Sequence, residues 1–254
     1  MPFVSISKNK QHSVDEENPY WISFSDIMTG LLIIFILATL QLMLELSETK
    51  KEVDDAITEL LKINAIRKEM LDEIKVDLSK NNIAVEVVEN STVVRIPDEQ
   101  LYFRQSRYEI PDDKKYVVNE IGKVLFNALK KNDRYKLVDT IFIEGHTDSV
   151  PAPRLPRGNW GLSADRAVAV WKYWRENEQY GEEIQNLGEE KELGKVKRKQ
   201  LFSVSGYAET RRIIIDDDTP ARQKINRRID IRFAMNPPRL TDLKSIHKKL
   251  DDGS

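Results

Sequence analysis

Asp26 stands inside WISFSDIMTGLLIIFILATLQLML, residues 21–44, as the one charged side chain of an otherwise apolar run. An ionised carboxylate at the centre of a membrane-spanning helix costs roughly 2.5–3.5 kcal/mol on insertion scales, so an acid kept there is expected to have a use. Three uses are open. Asp26 marks the interface and the span starts at Ile27; it fixes pairing with another helix; or it takes up and releases a proton on an ion path. Thr29, Gly30 and Ile33 follow it at helical spacing, adding a hydroxyl and a close-approach glycine to the same stripe. A lone helix encloses no path, so either polar use requires partner helices.

A second group of chemistry-bearing residues lies further along. His146-x-Asp148 could be two legs of a metal site, but the other two histidines, His12 and His247, sit in opposite tails and the chain has no Cys. A catalytic zinc takes three protein ligands, often histidines. No G-x-S-x-G and no P-loop occurs. The expectation is therefore a non-enzyme with no cofactor and no metal, in which His146 is a satisfied loop residue that orients the turn at Asp148. With 40 Lys+Arg against 42 Asp+Glu, nothing in the charge balance calls for a nucleic-acid partner. The absence of cysteine excludes disulfides and thiol chemistry without fixing a compartment.

The elements that must position these residues can be read from periodicity. The apolar run has 24 residues, which as a helix rises about 36 Å and covers a hydrocarbon core of about 30 Å. Pro19 suits the helix entrance, and Tyr20 and Trp21 suit a headgroup-level belt. A cleaved signal peptide needs a basic start, a 7–15-residue apolar core and a small-residue cleavage site; this run begins late, is longer and ends in LMLELSETKK. A retained single-span anchor is expected. Lys8 and Lys10 before it balance Lys50 and Lys51 after it, so charge leaves its orientation open.

From Glu45 to Lys80 there is no Gly or Pro, and Leu46, Val53, Ile57, Leu60, Ile66, Met70 and Ile74 recur at helical spacing. That amphipathic helix is either a short dimeric coiled coil or a helix folded onto the next domain. The following segment predicts a hairpin about Asn90-Ser91, a short strand at 101–103, and a helix from Pro111 to about Lys131 with Val117, Ile121, Val124, Leu125 and Ala128 inward. A strand at Leu137–Glu144, a helix from Leu162 to about Glu178 and strands at Leu201–Gly206 and Ile229–Phe233 complete an α/β sandwich. Residues 181–199 read as a solvated insertion, and Leu240, Leu243, Ile246 and Leu250 as a short tail helix. The expected organisation is a tail at 1–19, a transmembrane helix at 20–45, a helical linker at 46–82, the α/β domain at 83–235 and a tail at 236–254.

GHTD at 145–148, NWGLSADRA at 159–167 and NRR at 226–228 together resemble the OmpA-like peptidoglycan-binding domains, and NWGLSADRA resembles in particular the stator B subunits of the MotB family. WISFSDIMTGLLIIF is similar to that family's span, whose aspartate carries ions. The resemblance covers residues 18–46 and about 83–233. It implies a βαβαβ sandwich outside the inner membrane, with residues 1–19 cytoplasmic, and a homodimer inside a ring of polytopic A subunits of the MotA or ZorA kind. It implies that Asp26 carries protons, with sodium left open. It also implies a clamp for the diaminopimelate of the stem peptide, in which Asp148 takes the ammonium and Arg166 the carboxylate. Asn159 and Leu162 would shape the wall and Thr147 would contribute beside it. Arg227, within NRR, would buttress the site or face the glycan. Without the motif, Arg166 reads as an ordinary helix-surface ion pair with Asp165 or Glu144. SVPAPRLPRG, between Asp148 and Asn159, is an insertion of the sort stator subunits carry there. The acidic Asp15, Glu16 and Glu17, the short tail and the compact link look more like ZorB, the stator-like subunit of Zorya anti-phage motors, than like a flagellar subunit; a passive wall tether without ion flux is the alternative of another class.

Overall fold

The computed structural model describes residues 19–153, 155–192, 195–198 and 200–237. The expected tail helix through Leu240 and Leu250, and the N-terminal residues 1–18, lie outside them. The chain divides into two units, Met1–Asp55 and Ala56–Ser254.

Helix α1 spans Pro19–Lys80. Over residues 21–44 it is apolar on every side save for Asp26 and a few uncharged polar residues, with Ile27, Leu31, Ile34, Phe35, Leu40 and Leu44 all exposed. A helix with no polar face cannot choose a side to bury against a globular core, and this one is long and apolar enough to cross a membrane.

In the second unit the last turns of α1 carry Met70, Leu71, Ile74 and Leu78 into the hydrophobic core. Of the two arrangements open from sequence, these turns follow the helix folded onto the domain. Buried Arg134 ties them down further, donating to Glu69 at 2.9 Å and to Glu73 at 2.6 Å.

The hairpin forms as expected, from β1 (Glu86–Val88) and β2 (Val93–Pro97). Its turn places Glu89, Asn90 and Ser91 all at positive φ, a conformation that asparagine tolerates better than most residues. After it come α2 (Lys115–Lys130), β3 (Val138–His146), α3 (Gly158–Arg175), α4 (Gly181–Asn186), β4 (Glu190–Glu192), β5 (Lys195–Arg198), β6 (Phe202–Gly206), α5 (Pro220–Asn226) and β7 (Arg228–Met235). The main sheet runs β1-β2-β7-β3-β6, with β3 parallel to β6 and β7 antiparallel to both β2 and β3. Alternation along the strands sends Ile141, Ile143, Ile229, Ile231 and Phe233 into one core with α2 and α3. Trp174, fully buried, donates its indole N–H to the Val118 carbonyl at 2.8 Å and locks α3 to α2.

Three expectations need correction. The inward stripe of α2 keeps Ile121, Leu125 and Ala128 as expected and adds Val118, Phe126 and Leu129, whereas Val117 and Val124 are only partly covered; Trp174 and Tyr180 fit closely against Gly122. Residues 101–103 form no strand. Gln100 and Leu101 turn back on the Pro97 carbonyl, and Leu101 and Phe103 are buried from a loop. Residues 181–199 are not simply a solvated insertion: Ile184 of α4 and the adjoining Leu187 enter the core, and β4 and β5 pair as a second small sheet.

Candidate functional site

Gly145 and Gly206 are neighbours across β3 and β6. A Cβ on Gly145 would lie 2.0 Å from the Ser163 carbonyl oxygen, and one on Gly206 2.5 Å from the Ala164 nitrogen. The first turns of α3 therefore rest directly on the strand ends, as only paired glycines allow. The buried Ser163 hydroxyl accepts from the Ala208 N–H at 3.0 Å and fixes that approach. The consequence is positional: Arg166, two turns into α3, is held over the chain that leaves β3 at Thr147 and Asp148.

Between them is a cavity of about 290 Å³. All six residues singled out in sequence for the wall clamp, Thr147, Asp148, Asn159, Leu162, Arg166 and Arg227, line it. Asp148 is largely buried; one carboxylate oxygen accepts from the Val150 N–H at 3.2 Å and the other from Arg227 Nη1 at 2.8 Å. Arg227 in turn donates to both oxygens of Asp98, each at 3.1 Å. Arg227 thus bridges two acids, and Asp148 is oriented before any ligand arrives.

Arg166 is different. It is 4% exposed and, among the described residues, makes no ion pair within 4 Å. Neither carboxylate that could make it a surface pair is available, since Asp165 meets Arg157 and Glu144 meets Arg232. Its Nε donates to the Arg107 carbonyl at 3.0 Å and its Nη2 to the Arg104 carbonyl at 3.4 Å, with the guanidinium over the Phe103 ring. Of five N–H groups, about three remain. Burial pushes its pKa down to about 10, against the pull of Asp148 and Asp98, so it stays cationic at neutral pH. A buried cation without a directly paired carboxylate is costly unless something supplies one.

Two more polar atoms here lack a partner: the Thr147 hydroxyl and Asn159 Oδ1, both buried. The Asn159 amide nitrogen is fully used, on the carbonyls of Val150 and Asp148 and on Glu209, which aims the free oxygen. The arrangement offers guanidinium donors on one side and a carboxylate, an amide oxygen and a hydroxyl on the other. That set suits a small zwitterion.

The inserted segment is part of the wall: Val150, Pro151 and Ala152 line the cavity. It is held by Asp217, which accepts from the Ser149 N–H at 2.9 Å and from Asn226 Nδ2 at 2.8 Å. Burial alone would raise the Asp217 pKa; the bonds from Ser149 and Asn226 and the charge of Arg212 outweigh it and hold the group at about 2. A depressed carboxylate contributes stability above its unfolded pKa, lost as pH falls through the folded value. Asp217→Asn should therefore cost about 2 kcal/mol at pH 7 in thermal unfolding of the purified chain, and the gap to the native protein should close between about pH 4 and pH 2.

His146 departs from expectation. It is the last residue of β3, which runs two residues beyond its predicted end, and alternation turns its ring to the sheet face opposite Gly145. It is 2% exposed, and neither ring nitrogen has a hydrogen-bond partner. It lines a separate cavity and is not a satisfied residue orienting Asp148. Asp98 and Phe103, missed in sequence, come from residues 97–107, where neither period nor motif marks them. Asp26 lies in the first unit on α1, exposed, with Thr29, Gly30 and Ile33 exposed on the same stripe. The Thr29 hydroxyl donates to the Ser25 carbonyl at 2.8 Å, and Gly30 faces open space.

Residues 102–227, within the second unit, match the model of the OmpA family. Among curated proteins, the chain is similar to the uncharacterized protein YtxE of Bacillus subtilis (strain 168), 24% identical, with 88% of this chain and 90% of that one covered. Among solved structures it is similar to the periplasmic domain of Helicobacter pylori MotB, 23% identical over 66% of this chain and 90% of that one, at a TM-score of 0.44. A putative MotB-like protein from Desulfovibrio vulgaris is 18% identical over 69% and 98% respectively, at 0.49. The cell wall anchor of the type VI secretion system from Pseudomonas aeruginosa is 21% identical over 65% and 97%, at 0.44.

Proposed function

We propose that this chain is the wall-anchored B subunit of an ion-driven rotary motor, with Asp148 and Arg166 gripping the diaminopimelate of the peptidoglycan stem peptide. The observation that carries the anchor is the buried guanidinium of Arg166, without a carboxylate of its own, in one cavity with Asp148 and two unpartnered polar atoms. Diaminopimelate presents an ammonium and a carboxylate on one short side chain. Its carboxylate fits the planar fork of Arg166; its ammonium fits Asp148 and Asn159 Oδ1. Leu162 gives the aliphatic stem an apolar wall, Thr147 offers its hydroxyl, and Arg227 serves by holding Asp148.

In this reading the apolar part of α1 crosses the inner membrane, residues 1–19 are cytoplasmic and the OmpA-family domain is periplasmic, since a wall binder must lie outside that membrane. Two copies sit in a ring of polytopic A subunits. Asp26 of each copy alternately accepts and releases a proton. Each protonation removes a charge the ring otherwise accommodates and biases it toward its next position, while the potential supplies about 2.3 kcal/mol per charge per 100 mV. The wall domain keeps the dimer still. Acidic Asp15, Glu16 and Glu17, and the short stretch from Leu44 to the first residue of the core cluster, Met70, favour the ZorB subunit of an anti-phage Zorya motor over a flagellar stator. The test is retention of the full chain on purified sacculi. A free stem tripeptide ending in meso-diaminopimelate should compete, and a lysine-ending tripeptide, lacking that carboxylate, should compete far less; equal competition would remove the clamp.

A further inference from the structure

The helices cover one face of the main sheet. The other face carries charge on every central strand: Arg95 on β2, Glu144 on β3, and Arg228, Asp230 and Arg232 on β7. The segment after β6 turns over it with Tyr207 and Arg211, leaving an open cavity of about 650 Å³ that shares no lining residue with the clamp.

The acids in this cavity are already satisfied. Glu144 accepts from Arg232 at 2.8 and 3.0 Å, Asp230 from Arg228 at 3.0 Å and from Arg95 at 3.2 Å, and Glu89 pairs with Arg232. One carboxylate thus serves two guanidiniums. Arg211 is the most loosely held: its side chain is 47% exposed and its ion pair, with the already paired Glu144, is long at 3.9 Å. It lies over the Tyr207 ring at 3.5 Å, and Tyr207 stacks on His146 at 5.4 Å. Beneath this stack is the imidazole, neither of whose nitrogens has a hydrogen-bond partner, with Nε2 3.5 Å from Asp230 and 4.0 Å from Glu144.

Two kinds of ligand could use such a site. Glu144, His146 and Asp230 each offer an atom within 4.8 Å of the others, close enough for a metal ion. The surroundings oppose that. A dication would have to displace the arginine bonds just described and sit among cations. Burial first, and then the charges of Arg228, Arg211, Arg95 and Arg232, hold the His146 pKa at about 2, so the ring is neutral although two acids adjoin it. A water could satisfy the ring nitrogens, but it would not offset the surplus charge.

We propose that this cavity binds a phosphate-class oxyanion, held by the Arg211 fork at its mouth, with the neutral His146 ring presenting one N–H donor and one acceptor at its floor. Arginine suits phosphate because its N–H groups match two oxygens at once. The phosphate can arrive free or on a lipid or wall polymer; the recognition chemistry is shared.

The test is calorimetric titration of the detergent-solubilised full chain with inorganic phosphate, with glycerophosphoglycerol as the phosphodiester probe, and with zinc chloride, all at fixed chloride. Saturable binding of either phosphate probe is expected. Arg211→Gln should weaken it roughly tenfold and Arg211→Glu should abolish it, both variants keeping sacculus retention. Stronger binding of inorganic phosphate identifies a free ligand; stronger binding of the phosphodiester identifies a headgroup or polymer. Absence of saturable phosphate binding, affinity unchanged in both Arg211 variants, or one-to-one zinc binding that His146→Ala removes would overturn the proposal.

Discussion

Arg166→Ala should reduce the affinity of the full chain for purified sacculi by about a hundredfold. That is the loss of two charge-assisted hydrogen bonds of about 1.5 kcal/mol each. The fold should survive, because Arg166 spends only two N–H groups on the protein, both on loop carbonyls, and removing it also removes a buried charge that has no directly paired carboxylate. Binding and stability are therefore expected to move separately: retention collapses, while the thermal transition holds or rises slightly. Arg166→Lys discriminates further. It keeps the charge but loses the planar fork, so a clamp built on two parallel bonds loses most of its grip, whereas a site needing only positive charge does not. Undiminished retention in Arg166→Ala would remove the assignment.

The second large effect belongs to the other unit. Asp26→Asn should abolish ion-driven activity while leaving co-purification with the ring subunits and sacculus retention intact. Asparagine is nearly isosteric with aspartic acid and still hydrogen-bonds across helices, so a purely structural pairing role would survive the change. It cannot release a proton. Activity in the host and proton flux in reconstituted vesicles should both fall to background. Full activity in this variant would end the ion-carrier role and leave a passive tether.

Motif spacing carried most of the clamp. Asp148, Asn159, Leu162 and Arg166 were singled out by the resemblance of GHTD and NWGLSADRA to OmpA-like motifs rather than by any period, and the structure brings all four to one cavity. The partner that orients Asp148 was placed only loosely: Arg227 comes from the junction of α5 and β7, and its bridge to Asp98 joins residues 129 positions apart, which no local pattern encodes. His146 was misjudged because the end of β3 was set two residues short, and one residue decides which face a strand side chain takes. The fate of the second half of α1 could not be settled either, since an amphipathic stripe states that something covers it without stating what. The short α4, β4 and β5 contain too few turns or alternations to show a period.

The central claim is that Arg166 and Asp148 together hold the two ends of one zwitterion. A crystal structure of the protein with a stem tripeptide ending in meso-diaminopimelate tests it most directly. The account predicts the side-chain carboxylate within about 3 Å of two Arg166 N–H groups and the ammonium at Asp148, with Arg227 still bridging Asp148 to Asp98. A peptide bound elsewhere, or bound with its carboxylate turned away from Arg166, would contradict it.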